Sequence, residues 1–529
     1  MPELSSMRAP LLALLLGLSM PMAALPPAHA ASTSPALPSL GDAASEDLTV
    51  GAERRLGERI MKEIRRDPDV IDDALLQDYV DSLWQPLLVA ARSRGDLSDE
   101  EREHFAWQTF LVRDRTINAF ALPGGYVGVH LGLIALTSSR DELAAVLAHE
   151  MSHITQRHIA RSVATNRRQS MLGVATLIVG ILAASRSADA ANAMIAGGQA
   201  VAVQGQLNFS RDMEREADRI GFGVLDAAGF APSGMAMMFD RLQGASRLND
   251  GGQFPYLRSH PLTSERIAEA RSRLGVASGA AGAGAVPPEP ARWLHAAMQG
   301  RARALMDSRS ETLMRLAGGG IPGAAAAANT PEALSSACAA ALAATRLKDW
   351  RVADAALARA RALAAPQGPA VQRAVQVLQV ESLLERGQPA QAASVLSGGG
   401  LLDGTRAGLL LAARLATQPQ SDVTLAARTR EDMQTWVAIH PGDAGAWQAW
   451  AQLAERLGQP LASLRAQAEA RAALGDLPGA IDRLRAGQRL ARGSGAVESV
   501  EGIVIESRLK ALEQQRRAEM DRERRGEDD

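Results

Sequence analysis

His149-Glu150-Met151-Ser152-His153 has the spacing His-Glu-x-x-His. On a helix, residues four apart share a face, so both imidazoles point one way with a carboxylate beside them. One helical turn then offers two nitrogen ligands to a single zinc ion, and a base for the water that the ion acidifies. Ser139-x-x-Glu142, just ahead, is the pattern of a capping box. Leu143, Val146, Leu147, Met151 and Ile154 recur at helical spacing, which predicts an amphipathic helix over roughly 140–158. The bland alternative is a helix whose histidines and Glu150 are ordinary polar positions. The place of Glu150 inside the motif favours the base.

A catalytic zinc takes a third protein ligand and keeps a position open. His158 is near, but the metzincin pattern requires Gly and His where Gln156 and Ile159 stand. Five residues past His153, His158 is expected on the surface, off the ligand face. The gluzincin alternative draws a Glu from a later helix. The stretch 210–229 fits, with Ser210 as N-cap and Gly229 as the stop. Glu214 and Asp218 are four apart and share a face. Glu214 is the expected third ligand, and Asp218 the expected partner of the far nitrogen of a ligand histidine. The competing reading is a salt-bridged face among Arg211, Arg215 and Arg219.

The order His149-Glu150-x-x-His153, then Glu214-x-x-Ala217-Asp218, resembles the zinc peptidase family of the CaaX prenyl endopeptidases and HtpX. Asn118-Ala119-Phe120-Ala121-Leu122-Pro123-Gly124-Gly125 is similar to that family's segment before the zinc helix. Ser259-His260-Pro261 with Arg266-Ile267 is similar to its segment after the Glu helix. The likeness covers about 46–275. It implies one Zn2+ per chain on His149, His153 and Glu214. It also implies an α+β, gluzincin-type peptidase domain, mostly helical with a small sheet. The pair of membrane spans of HtpX-type members is not obvious in this sequence.

His260 precedes Pro261 and is therefore expected in an extended segment before a helix running from Ser264 to Gly275. It is placed near the metal, either donating to the oxyanion or filling the open zinc position at rest. Arg266 either fixes this loop or is a simple helix charge. Ahead of the zinc helix, Phe105, Trp107, Thr109 and Leu111 alternate, and 126–131 follows a Pro-Gly-Gly turn, which predicts strands. A strand of this kind can present a free edge to an extended peptide. The apolar run 171–184 is short for a membrane span. It is read as a buried helix, against an interfacial helix or a lid beside the Gly197-Gly198 pair.

The first thirty residues have the layout of a signal peptide. Arg8 precedes the apolar run 11–18, and Ala28-His29-Ala30 is an A-x-A cleavage site. The chain is therefore expected to be exported, and the resemblance implies the periplasm as its location. A formal net charge of −2 supplies no basic excess for nucleic acid. Cys338, the one cysteine, cannot form an internal disulfide and is expected to be buried.

Ala, Gly and Pro-Pro at 277–290 mark a linker. Beyond it, Ala/Leu/Arg-rich stretches turn at Gly387-Gln388-Pro389, Gly458-Gln459-Pro460 and Gly475-Asp476-Leu477-Pro478. Gly387 and Gly458 lie about two 34-residue periods apart, which points to an all-α, TPR-like solenoid. The expected layout is a signal peptide at 1–30, a linker at 31–45 and the peptidase domain at 46–276. The second linker, repeats at 291–510 and a charged tail at 511–529 follow.

The expected function is a zinc endopeptidase with Glu150 as base, and the resemblance implies unfolded or misassembled envelope proteins as its substrates. The resemblance further implies outer-membrane barrel precursors and their assembly machinery, with peripheral membrane association possible. A non-catalytic chaperone or assembly adaptor built on the repeats, and a membrane-embedded peptidase, are the alternatives.

Overall fold

The computed structural model describes residues 48–165, 211–248, 255–281, 289–319 and 329–525. The signal-peptide and first-linker stretches, 171–184, Gly197-Gly198 and Ser210 lie outside the described residues. The described residues are mostly helical with one small mixed sheet. Helices α1 (Val50–Ile64), α2 (Ala74–Arg94) and α3 (Asp99–His104) precede or interleave with strands β1 (Val70–Ile71) and β2 (Gln108–Val112). Strands β3 (Ala119–Leu122) and β4 (Tyr126–His130) follow, then α4 (Leu131–Leu136), the zinc-motif helix α5 (Arg140–Thr155) and α6 (His158–Thr165). After the undescribed stretch come α7 (Arg211–Ala227), α8 (Ser233–Leu248), α9 (Pro255–Ser259) and α10 (Ser264–Ala281).

The sheet runs β1-β2-β4-β3, with β2 and β4 parallel and both outer pairs antiparallel. Two sequence expectations change here. Phe105 and Trp107 precede the strand, because Trp107 takes a positive φ of 49° that breaks the extended path. Its indole donates to Glu101 O and its carbonyl accepts from the Trp84 indole, which hold the turn. Strand β2, read from alternation, and β4, read from the turn before it, were candidate edges, and both are interior. Among the described residues the free edge near the zinc motif is β3, in the Asn118–Gly125 stretch read only as a family likeness.

Two helix ends also differ from expectation. α5 stops at Thr155 rather than near 158, and α10 runs through Gly275 to Ala281. The short linker expected at 277–290 is therefore partly helical, and the next helix begins at Glu289.

From Glu289 the described residues form an all-helical array. It comprises α11 (Glu289–Leu305), α12 (Ser310–Gly318), α13 (Pro331–Leu347), α14 (Trp350–Ala364), α15 (Pro369–Glu385) and α16 (Pro389–Gly398). It continues through α17 (Arg406–Ala416), α18 (Val423–Ile439), α19 (Ala444–Arg456), α20 (Pro460–Ala473), α21 (Leu477–Gly493) and α22 (Val500–Arg525). The three Gly-x-Pro-type corners are helix–helix turns. Gly387, Gly458 and Gly475 take φ of 68°, 68° and 78°, and a proline stands first or second in the next helix each time.

The core crosses from the elements before Glu289 into this array. Leu143, Val146 and Leu147 of α5 belong to one buried cluster with Trp293, Leu334, Leu357 and Val371. Cys338 is buried in that cluster, and burial pushes its thiol up to about 12. Polar contacts add to the junction. Tyr79 on α2 lies 2.6 Å from His295 Nδ1, and His295 Nε2 lies 2.9 Å from the Thr137 carbonyl at the foot of α5. Since a carbonyl only accepts, Nε2 carries the proton and the Tyr79 hydroxyl donates to Nδ1.

Candidate active site

The motif helix starts at Ser139, whose hydroxyl accepts the Glu142 N–H at 3.2 Å. The Glu142 carboxylate caps the neighbouring Ser138 N–H instead of Ser139 and is held by Arg241 of α8. His149, Glu150 and His153 follow on α5 and are all buried. α7 crosses α5 with Glu214, Asp218 and Gly221 on the facing side, at helical spacing. A Cβ on Gly221 would come within 3.2 Å of the Ala148–His149 backbone, so glycine allows the close approach that brings Glu214 to the histidines. His260 arrives from the short helix α9, where its N–H donates to Tyr256 O at 2.8 Å.

His149, His153, Glu214 and His260 each offer one ligand atom, and these lie within 4.8 Å of one another. His149 Nε2 is 3.0 Å from His153 Nε2 and 3.3 Å from His260 Nδ1. Glu214 Oε1 is 3.0 Å from His260 Nδ1 and 3.5 Å from His153 Nε2. Its Oε2 is 3.5 Å from His149 Nε2. Tetrahedral bonds of about 2.0–2.1 Å make ligand–ligand edges of about 3.3–3.4 Å. The observed separations bracket that value, so the donor set fits a small dication.

The electrostatics agree. Burial disfavours a charged His149, yet the carboxylates of Asp218 and Glu214 outweigh it and push its pKa up to about 10. Burial likewise works against ionised Glu214, but His260 and His149 hold it well below the usual carboxylate range. Burial and the neighbouring His149 press His153 well below the ordinary imidazole value. These shifts arise because carboxylates and imidazoles share one buried pocket, with Arg266 set against both Glu214 and Asp218.

Around these four, each sequence-derived residue has a definite place. Asp218 Oδ1 lies 2.9 Å from His149 Nδ1, which leaves Nε2 to face the cluster. Arg266 is buried, not a solvated helix charge. Its Nε and Nη2 donate to Asp218 at 2.6 and 2.8 Å, its Nη1 to Pro261 O at 2.9 Å, and that Nη1 sits 2.9 Å from Glu214. Glu150 accepts the Ala121 N–H through Oε2 at 3.1 Å. Its Oε1 has no hydrogen bond and lies 3.5 Å from His260 Nε2. Burial raises its pKa.

His158 contradicts the surface expectation. It is fully buried, with Nδ1 2.8 Å from His153 Nδ1. The reason is a break in the helix, described below. The sequence reading also missed Tyr256, whose ring lies 4.7 Å from that of His260, and Glu216, which lies 3.1 Å from His158 Nε2. Glu216 stands two residues from Glu214 in a run of alternating charges, where composition does not single it out.

Residues 85–274 match the model of Peptidase family M48. A Vibrio cholerae protein provisionally named a beta-barrel assembly-enhancing protease is 38% identical over 247 residues, 47% of this chain and 49% of its own length. The Escherichia coli beta-barrel assembly-enhancing protease is 35% identical over 243 residues, 46% of this chain and 48% of its own. The mitochondrial metalloendopeptidase OMA1 of Schizosaccharomyces pombe is 30% identical over 223 residues, 42% of this chain and 60% of its own. The chain spans about half the length of the beta-barrel assembly-enhancing proteases it matches.

Proposed function

We propose that this chain is a zinc-dependent endopeptidase of the periplasm that cleaves misfolded or stalled envelope and outer-membrane proteins. One observation carries the reading: donor atoms of His149, His153 and Glu214 lie 3.0–3.5 Å apart beside Glu150, whose Oε1 has no hydrogen-bond partner among the described residues. His149, His153 and Glu214 would hold the zinc, and His260 Nδ1 lies where a fourth, displaceable ligand would stand. Zinc, when bound, supplies Lewis acidity to a scissile carbonyl and lowers the pKa of water.

Glu150 takes a proton from the attacking water through Oε1 and returns it to the leaving amine. Burial raises its proton affinity, which suits a group that must both accept and release a proton. The Ala121 N–H on Oε2 fixes the carboxylate's direction. Asp218 and Arg266 orient His149 and Glu214. His260 Nε2, once its ring is displaced toward substrate, is placed to donate to a developing oxyanion.

Strand β3 pairs with β4 on one side, and its Ala121 N–H points from the other side to Glu150. An extended peptide added to that edge runs beside the base, with backbone pairing giving broad sequence tolerance. The array from Glu289 onward is read as a TPR-like repeat surface for docking partners, including barrel assembly machinery. Export rests on Arg8, the apolar run 11–18 and the Ala28-His29-Ala30 site. Among the described residues no helix is long and apolar enough to cross a membrane.

Metal analysis of the purified protein tests the centre. About one zinc per chain is expected, and Glu214→Ala should lose most of it. Glu150→Gln separates the enzyme from a chaperone or adaptor. It should keep the metal and lose cleavage of an unfolded protein substrate; retention of cleavage overturns the proposal.

A further inference from the structure

On an unbroken helix, five residues turn the chain through about 500°, which leaves His158 about 140° from His153. The structure breaks the helix between them. α5 ends at Thr155, Arg157 takes a φ of 50°, and α6 starts afresh at His158. A left-handed arginine is costly unless its surroundings hold it. Here Arg157 is buried, with Nε 3.2 Å from Glu53 of α1 and a further bond to the Leu48 carbonyl. That turn swings the His158 ring back against His153.

Two imidazole nitrogens 2.8 Å apart bond only when one carries a proton and the other a lone pair. Glu216 decides which. Its Oε2 lies 3.1 Å from His158 Nε2 and also accepts from Arg161 Nη1 at 2.8 Å, which keeps the carboxylate ionised. An ionised carboxylate only accepts, so Nε2 of His158 carries the proton and Nδ1 of the neutral ring is the lone pair. That lone pair takes the Nδ1–H of His153 and leaves the His153 Nε2 lone pair facing His149 and Glu214.

We propose that His158, backed by Glu216, is a positioning residue that fixes the tautomer and ring orientation of His153 for the metal. The proposal rests on reading His149, His153 and Glu214 as metal ligands. The two histidine ligands are then oriented by different devices. Asp218 acts directly on His149, whereas a neutral imidazole passes the influence of Glu216 to His153. Because the partner on its Nδ1 side is a neutral ring and not a carboxylate, its Nε2 is a weaker donor to the metal than that of His149.

Zinc affinity of the full chain, measured by competition with a chromophoric chelator, tests this together with the visible spectrum of the Co2+ form. His158→Phe keeps the volume and removes the acceptor; it should weaken zinc binding about 10- to 100-fold and shift the Co2+ bands. His158→Asn returns an acceptor near the Nδ1 position and should recover most of that loss. Equal losses in Phe and Asn, or zinc binding by His158→Phe within about twofold of wild type, overturn the proposal. Should His158→Phe fail to fold, Glu216→Leu tests the relay from its outer end, with about tenfold weaker binding expected and unchanged binding overturning it. Failure of the underlying reading looks different: the unaltered protein then binds no zinc, or Glu214→Ala binds it equally well.

Discussion

Arg301 on α11 and His149 on α5 are both buried among ionisable groups, but their partners are arranged in opposite ways. The Arg301 guanidinium makes five close bonds, of 2.6–3.0 Å, to both oxygens of Asp73 and of Glu381. Asp73 also caps α2 through the Leu76 N–H, and Arg301 overcomes its burial to hold its carboxyl below the ordinary value. Nothing there asks for a further ligand. In the His149 cluster, nitrogens face nitrogens at 3.0–3.3 Å and Glu150 Oε1 has no hydrogen bond. A saturated cluster locks the α2, α11 and α15 helices together, whereas an unsaturated one is a site. Buried polarity alone does not distinguish them; the pairing of each atom does.

The sharpest break in this comparison is Glu150→Gln. Peptidase turnover is expected to fall about 10²- to 10⁴-fold, with zinc content and denaturation midpoint unchanged. A stability change of the same size as the activity change would make Glu150 structural, like Asp73. The converse substitution is Arg301→Leu. It strands two buried carboxylates and should cost about 3–5 kcal/mol in urea unfolding while leaving zinc stoichiometry alone. Full stability in Arg301→Leu would mean that this cluster is not saturated by its arginine.

A smaller effect comes from pH. Burial lowers the His295 pKa from 6.5 to about 4 in the folded chain. Above 6.5 the ring is neutral whether folded or not. As pH falls toward 4, the unfolded chain takes up a proton that the folded chain refuses, so stability drops across that window and levels off below it. Between pH 7 and 5 the loss is about 2 kcal/mol. His295→Gln should flatten that part of the profile; an unchanged slope rules the assignment out. The smallest effect is expected for Gly221→Ala. On an exposed helix this exchange gains about 0.5–1 kcal/mol. Against the Ala148–His149 backbone the gain should vanish and zinc retention should weaken about threefold. A more stable variant with undiminished zinc affinity would show that α5 and α7 have room to spare.

The zinc-motif helix was legible because its apolar positions and its cap both obey local rules. Glu214 and Asp218 shared a face by spacing, but that spacing equally fits a salt-bridged helix, and only the zinc motif and the family resemblance singled them out. The glycine–proline corners of the array were readable from local rules, since αL glycine and a proline at the start of a helix are local requirements. His158 was not legible. Neither glycine nor proline marks the end of α5, and the turn at Arg157 is held by Glu53 and Leu48, about a hundred residues earlier. The free edge of the sheet was hidden too. Alternation marks β2 but says nothing about whether a strand lies on each side of it.

Residue type and short-range spacing marked out His149, Glu150 and His153 as candidates for holding an ion and moving a proton, because that pattern lies within one helical turn. Tertiary packing decided the rest: which carboxylates were saturated, that β3 rather than β2 has the open edge, and that His158 stands behind His153. Those outcomes depend on contacts between distant segments, where burial and backbone breaks enforced from afar override what local periodicity indicates.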